Sequence, residues 1–241
     1  MVRLKIDGRE LQAEEDKTIL EVARNNGIYI PTLCYHEEVS PYGACRLCMV
    51  EVTQKGKTKV VASCLYPVAE GISVKVNSTR LSNIRRTAIE LLLARCPDSE
   101  VIQEMAHKLG VEKPAFNTDN DKHKCILCAL CTRVCEEVVG VSAISLVNRG
   151  VDRQMATPFF DCSEACIGCG SCAYVCPTKA ISFEDVGDKR VIKMPNVSME
   201  FKLKKCSKCG KYWAPERQLD YIARVAGLAP EAFDVCPDCR D

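Results

Sequence analysis

The sequence has no excess of either charge: 33 Lys and Arg stand against 32 Asp and Glu, so the overall charge points to no nucleic-acid partner. No run approaches the roughly 20 apolar residues of a membrane-spanning helix. The opening MVRLKIDGRE lacks the long apolar stretch of a signal peptide, which predicts a cytoplasmic protein. No G-x-G-x-x-G follows a strand-like segment and no phosphate-binding loop is present, so the chain is not expected to bind NAD itself. Nothing supplies an acid–base pair for a substrate. Histidine is scarce, and His36, His107 and His123 read as solvent or core residues, not ligands. Cysteine, in contrast, is abundant: 18 residues, gathered in tight C-x-x-C groups. In a compartment that keeps thiols reduced, such groups read as metal ligands and not as disulfides.

Residues 2–13 read as two alternating strands around an Asp7-Gly8 turn. A helix is expected over 18–26, with Ile19, Leu20, Val22 and Ala23 apolar and Gly27 as its stop. Strands at 49–52, 59–62 and 72–76 are interleaved with Cys34, Cys45, Cys48 and Cys64, which predicts a small mixed sheet for a first domain, 1–78. A helical connector, 79–121, follows. Its first helix, 79–95, places Leu81, Ile84, Ala88, Leu91 and Leu92 at helical spacing; its second, 98–109, does so with Val101, Ile102, Met105 and Leu109. Residues 111–121, with Pro114 and a polar run, read as a linker. A duplicated cysteine domain then spans 122–200, and a last module spans 201–241. The fold class is α+β.

KCILCALCTRVCEE and CIGCGSCAYVCP repeat one rhythm, C-x-x-C-x-x-C-x-x-x-C. A 4Fe–4S cluster needs one thiolate on each iron, and the two-residue spacers make tight turns whose N–H groups can face the sulfurs. Where the motif occurs twice, its fourth cysteine serves the other cluster. On that logic Cys125, Cys128, Cys131 and Cys176 hold one 4Fe–4S cluster, and Cys135, Cys166, Cys169 and Cys172 hold the second. Independent zinc sites are the alternative. Pro177 fits the bacterial ferredoxin pattern, while Glu136 stands at the equivalent place in the first repeat. Short apolar runs after each motif, VSAISLV and KAISF, suit small hairpin strands.

Cys34, Cys45, Cys48 and Cys64 suit a 2Fe–2S site, with a four-cysteine zinc site as the alternative. Their spacing departs from the plant-type C-x4-C-x2-C. The loop GACRLCMVEV, with both four-cysteine repeats in the same order, resembles the large iron–sulfur subunit of respiratory complex I. It also resembles that subunit's shorter relatives in NAD-linked hydrogenases and formate dehydrogenases. The resemblance covers residues 1 to about 186 and implies a β-grasp 2Fe–2S domain, a helical connector and a double 4Fe–4S domain acting as an electron relay. It departs at the end of the first connector helix. There the family carries a His-Cys-Cys-Cys set for a further cluster, and this chain has only Cys96, with His107 distant. That cluster is not expected. Cys96 and Cys162 read as structural thiols.

Cys206, Cys209, Cys236 and Cys239 form two C-x-x-C knuckles, with a helical stretch between them from Pro215 to Gly227 that carries Leu219, Ile222, Ala223 and Ala226. Zinc is the first expectation, and a further iron–sulfur cluster or single iron are the others, because thiolates suit all of them. Trp213 and Tyr212 beside lysines would also permit nucleic-acid stacking, against which the neutral chain argues.

These features, with the resemblance, predict a non-catalytic relay subunit of a multisubunit NAD(P)-linked oxidoreductase. Its expected partners are a flavin/NAD(P)-binding subunit, a small 2Fe–2S subunit and a hydrogenase or formate dehydrogenase catalytic module. Short relatives of this kind occur in electron-bifurcating hydrogenases, which makes flavin-based bifurcation a variant of the same reading. A metal- or redox-sensing interaction protein and a partnerless polyferredoxin are the rivals.

Overall fold

Val2, Leu4 and Ile6 are buried while Arg3 and Lys5 are exposed, the two-residue period of a strand with one face on a core. The computed structural model describes residues 1–118 and 124–240 and divides into two compact units, Met1–Ala129 and Leu130–Asp241. His123, the end of the expected linker and the expected limit at 121/122 lie outside the described residues.

In the first unit, β1 (Val2–Ile6) and β2 (Arg9–Ala13) pair antiparallel across the Asp7-Gly8 turn. Helix α1 (Ile19–Asn25) starts at Thr18, whose hydroxyl and the Glu21 carboxylate cap each other's backbone N–H groups. Ile19, Leu20, Val22 and Ala23 all reach the core from this short helix. Strands β3 (Met49–Gln54), β4 (Lys57–Ala62) and β5 (Ser73–Lys75) complete a sheet of order β2-β1-β5-β3-β4. β5 lies parallel to β1 and antiparallel to β3. A helix packed on this mixed sheet is a β-grasp. Burying Leu4, Ile6, Ile19 and Leu20 stabilises it by roughly 1.5–3 kcal/mol for each side chain.

Helix α2 (Thr79–Arg95) and helix α3 (Glu100–Lys108) pack together after the sheet. The buried stripe of α2 is Leu81, Arg85, Ile89 and Leu93; Ile84, Ala88 and Leu92 are half-buried and Leu91 is exposed. The apolar spacing expected from the sequence is thus rotated by about one residue. A charged side chain occupies the inner face because backbone carbonyls there need a donor. On α3, Ile102 and Ala106 are buried and His107 faces solvent.

In the second unit, α4 (Leu130–Arg133) runs directly into a π-helical turn, Val134–Val138. Strands β6 (Ser145–Val147) and β7 (Gln154–Ala156) pair antiparallel, and α5 (Ser171–Tyr174) follows. β8 (Ser182–Val186), β9 (Lys189–Lys193), β10 (Ser198–Lys205) and β11 (Tyr212–Pro215) form an antiparallel sheet of order β11-β10-β9-β8. Met199, Phe201 and Leu203 alternate along β10 with exposed Ser198, Glu200 and Lys202. The expected limit at 200/201 therefore falls inside a strand, where the sheet continues from β9 to β11. Helix α6 (Glu216–Ala226) ends at Gly227, whose φ of 64° is the left-handed conformation that glycine adopts without strain. Leu219 and Ala223 are its buried residues, and Ile222 and Ala226 of the expected face point outward.

Candidate iron–sulfur and metal centres

The loop before β3 and the turn after β4 bring Cys34, Cys45, Cys48 and Cys64 together, each no more than 5% exposed. They stand as two pairs: the Cys34 and Cys45 sulfurs are 3.4 Å apart, and so are those of Cys48 and Cys64. Two such pairs fit a two-iron group in which each iron takes two thiolates. Within each pair a hydrogen bond from the partner favours one thiolate, pushing Cys45 down to about 6 and Cys48 down to about 7. The partners Cys34 and Cys64 move upward for the same reason. The Cys45 N–H also donates to Cys34 Sγ at 3.4 Å. The buried Ser63 hydroxyl, which finds no other partner among the described residues, favours the Cys48 thiolate. Gly43 closes the loop: a Cβ there would lie 2.5 Å from Leu65 Cδ1 and 4.0 Å from Cys64 Sγ.

Arg85, a charged residue on the buried face of α2, supports this loop. Its guanidinium donates to the carbonyls of Leu47 at 3.1 Å, Met49 at 2.8 Å and Val76 at 2.8 Å. Leu47 lies between Cys45 and Cys48, so the helix holds the cysteine loop by its backbone. The signal in the sequence was an arginine four residues from Leu81 and from Ile89, on the same helical face.

The two four-cysteine repeats share a backbone device. Leu127 and Ala129 in the first, and Gly168 and Gly170 in the second, are all left-handed, with φ of 53°, 59°, 73° and 81°. Gly168 and Gly170 adopt this freely, whereas Leu127 and Ala129 carry roughly 1–2 kcal/mol of strain apiece. Strain of this kind persists where surrounding structure demands it. Arg95 donates from Nε to the Cys125 carbonyl at 3.0 Å.

In the second unit, Cys131, Cys135, Cys166, Cys172 and Cys176 share one buried cluster with Ile144, Met155 and Phe201. Cys135, from the first repeat, interacts electrostatically with Cys169, as do Cys166 and Cys172. Cys135, the fourth cysteine of the first repeat, thus lies in the same cluster as Cys166 and Cys172 of the second. Burial pushes Cys166 up to about 11 and Cys172 up to about 12, and Cys135 rises too. Buried thiols of this kind are poised for a metal that replaces their protons. The Ala143 N–H donates to Cys135 Sγ at 3.2 Å, an N–H···S contact of the sort that tunes iron–sulfur sites. Cys135 sits in the π-helical turn, and such turns concentrate at functional positions.

The four sulfurs of Cys206, Cys209, Cys236 and Cys239 lie within 4.8 Å of one another. A tetrahedral ion with metal–sulfur bonds of about 2.3 Å sets its sulfurs roughly 3.8 Å apart, and Cys209 and Cys236 stand 3.8 Å apart. N–H groups of Cys209 and Cys236 face Cys206 and help lower it to about 6, while the hydrogen bond with Cys236 raises Cys239 to about 12. Trp213 packs against Ala214, Leu219, Ala223 and Phe233 with its Nε1 buried, so it is part of this module's core. Cys96 is buried at the end of α2, and Cys162 is exposed.

Fold and cysteine sets together define an iron–sulfur protein. The 2Fe–2S iron–sulfur cluster binding domain family matches residues 1–79, and the 4Fe–4S dicluster domain family matches 124–180 and again 165–239. The relatives are iron–sulfur-containing subunits of NAD(P)-linked oxidoreductases and hydrogenases. The NADPH-Fe(3+) oxidoreductase subunit alpha of Geobacter sulfurreducens is 36% identical over 205 residues, 74% of this chain and 24% of the relative. The NADP-reducing hydrogenase subunit HndD of Solidesulfovibrio fructosivorans is 34% identical, covering 75% of this chain and 36% of the relative. An NADH-quinone oxidoreductase subunit of Rhizobium meliloti is 30% identical, covering 75% of this chain and 24% of the relative. The chain therefore spans only about a quarter to a third of the curated relatives it matches. A solved NAD+-reducing NiFe hydrogenase in the H2-reduced state matches with a TM-score of 0.57 and 29% identity, over 65% of this chain and 74% of that one. Among the described residues, no helix is long and apolar enough to cross a membrane.

Proposed function

We propose that this chain is an iron–sulfur electron-relay subunit of a multisubunit, cytoplasmic NAD(P)-linked oxidoreductase, with a hydrogenase as its terminal partner. The observation that supports this reading is that Cys135, the fourth cysteine of the first repeat, shares a buried cluster with Cys166 and Cys172 of the second, as ligands exchanged between repeats would require. Cys34, Cys45, Cys48 and Cys64 hold a 2Fe–2S cluster; Cys125, Cys128, Cys131 and Cys176 hold one 4Fe–4S cluster by motif; Cys135, Cys166, Cys169 and Cys172 hold the other. Such clusters supply reversible one-electron redox chemistry. The chain's residues bury the four 2Fe–2S sulfurs, half-bury most of the others, aim N–H groups at sulfur and fix the loops through Arg85 and the left-handed turns.

The tight gathering of Cys206, Cys209, Cys236 and Cys239 favours a single ion over a cluster whose cysteines sit on separate irons, and we assign it zinc. The chain carries no nucleotide motif, so a flavin/NAD(P) subunit, a small 2Fe–2S subunit and a catalytic metal subunit complete the assembly as a hetero-oligomer. The relatives named for NADP-reducing and NAD+-reducing hydrogenases favour a hydrogenase over a formate dehydrogenase.

Iron, zinc and acid-labile sulfide per chain, measured in anaerobically purified protein, test this. About 10 iron and about one zinc are expected. Predominantly zinc with little iron would overturn the relay. Purification of the native complex should bring a flavoprotein with it, and a lone monomer would favour a partnerless ferredoxin instead.

A further inference from the structure

α6 and β10 both connect the C-terminal four-cysteine set to the loops around Cys135 and Cys166. β10 ends at Lys205, next to Cys206, and its buried Phe201 lies against the loop between Cys166 and Cys169. A Cβ at Gly168 would come within 2.6 Å of that ring. α6 rests Leu219 and Ala223 on Phe233, which precedes Cys236 in the chain.

From the same helix, Tyr221 Oη donates to the Val139 carbonyl at 2.9 Å. It would sit 3.1 Å from a Cβ on Gly140. Arg217 reaches the Cys166 carbonyl at 3.5 Å, with its guanidinium 5.9 Å from the Phe201 ring. Val139 matters because the chain folds back beyond it. Val141 and Ser142 donate N–H groups to the Cys135 carbonyl, and Ala143 donates to the Cys135 sulfur. Pinning Val139 therefore fixes the direction of an N–H aimed at sulfur. That donor and a nearby guanidinium both stabilise the extra negative charge of a reduced cluster, which raises its potential.

We propose that α6 is a latch through which the C-terminal metal site sets the potential of the second 4Fe–4S cluster, with Tyr221 and Arg217 as positioning residues. The proposal rests on that cluster being held by Cys135, Cys166, Cys169 and Cys172. Metal bound at Cys206, Cys209, Cys236 and Cys239 fixes β10 at one end and the Phe233 platform at the other. The latch then holds the Val139 turn and the Cys166 loop in register. Releasing the metal lets α6 shift and frees both carbonyls.

The test is an anaerobic redox titration of the full chain followed by electron paramagnetic resonance, with the second cluster's signal assigned by its loss in Cys169→Ala. Tyr221→Phe removes one oxygen and should make this cluster harder to reduce. The expected size is about a tenfold shift in the reduced-to-oxidised ratio at fixed potential, 59 mV for one electron. Arg217→Gln should shift it in the same direction, Arg217→Lys less, and the 2Fe–2S signal should stay in place in all three. Cys239→Ser should reproduce the shift, and adding Tyr221→Phe to it should change nothing further, since the latch is already open. Unchanged potentials in Tyr221→Phe and Arg217→Gln would overturn the proposal, and so would full additivity in the double variant. No 4Fe–4S signal in the unsubstituted protein would instead overturn the function proposed above.

Discussion

Replacing Arg85 with methionine keeps the length and apolar stem of the side chain but removes the donors that hold the cysteine loop, β3 and the residue after β5 to α2. Three carbonyls, of Leu47, Met49 and Val76, lose their guanidinium partner, the first and last of them buried. At about 1–1.5 kcal/mol for each carbonyl left without a donor, the loss is about 3–4.5 kcal/mol. That is a large share of a typical domain stability of about 5–15 kcal/mol. The site is 5% exposed, so water cannot replace the lost bonds without opening the helix–sheet interface. Arg85→Lys keeps the charge, but a single ammonium cannot fork across the carbonyls of Leu47, Met49 and Val76, so about half of the loss should remain. The assay is thermal unfolding of anaerobic holoprotein, followed by visible circular dichroism of the 2Fe–2S chromophore. Arg85→Met should melt roughly 10 °C lower, with the 2Fe–2S signal lost before that of the 4Fe–4S sites. A shift under about 2 °C, or identical behaviour of Arg85→Lys and the natural protein, would refute the idea that this guanidinium anchors the loop.

Two further substitutions probe the local geometry. Gly168→Ala would place a methyl 2.6 Å from the Phe201 ring at a φ of +73°, which should cost about 2–4 kcal/mol in overpacking and backbone strain. Iron content should then fall towards that of a protein with one 4Fe–4S cluster, and full iron with normal stability would contradict the close packing. Thr18→Ala removes the hydroxyl half of the cap on α1 and should lower stability by about 1 kcal/mol in denaturant unfolding while leaving iron content unchanged.

Local signals in the chain were legible wherever short-range chemistry decides the structure. Asp7-Gly8 marks a turn because both residues tolerate left-handed backbone, and both are left-handed here, with φ of 46° and 82°. Thr18 and Gly27 bracket α1 because a hydroxyl can cap the first N–H groups and glycine can leave the last turn. The inner face of α2 was less legible. Leucine and isoleucine occur around much of that helix, and only the sheet beneath it decides that Arg85 turns inward while Leu91 turns out.

β10 shows the same limit at a larger scale. Its alternation is visible in SMEFKLKK, but which strands flank it is not, because pairing with β9 and β11 depends on loops of unrelated length. The Phe201–Gly168 contact and the Tyr221–Val139 hydrogen bond join residues 33 and 82 positions apart, so no local pattern announces them.

By itself the sequence determined the kind of chemistry available. Cysteines three or four positions apart come together in a single tight turn, so the groups around Cys125, Cys166, Cys206 and Cys236 could present clustered thiols through local structure. Tertiary structure alone decided which groups meet. It placed Cys34 opposite Cys45 and Cys48 opposite Cys64, and brought Cys135 to the Cys166–Cys172 loop. It also drew Cys206, Cys209, Cys236 and Cys239 into a space for one ion. Spacing fixes neighbours along the chain, whereas contacts between distant segments follow from how sheets and helices bury their apolar faces.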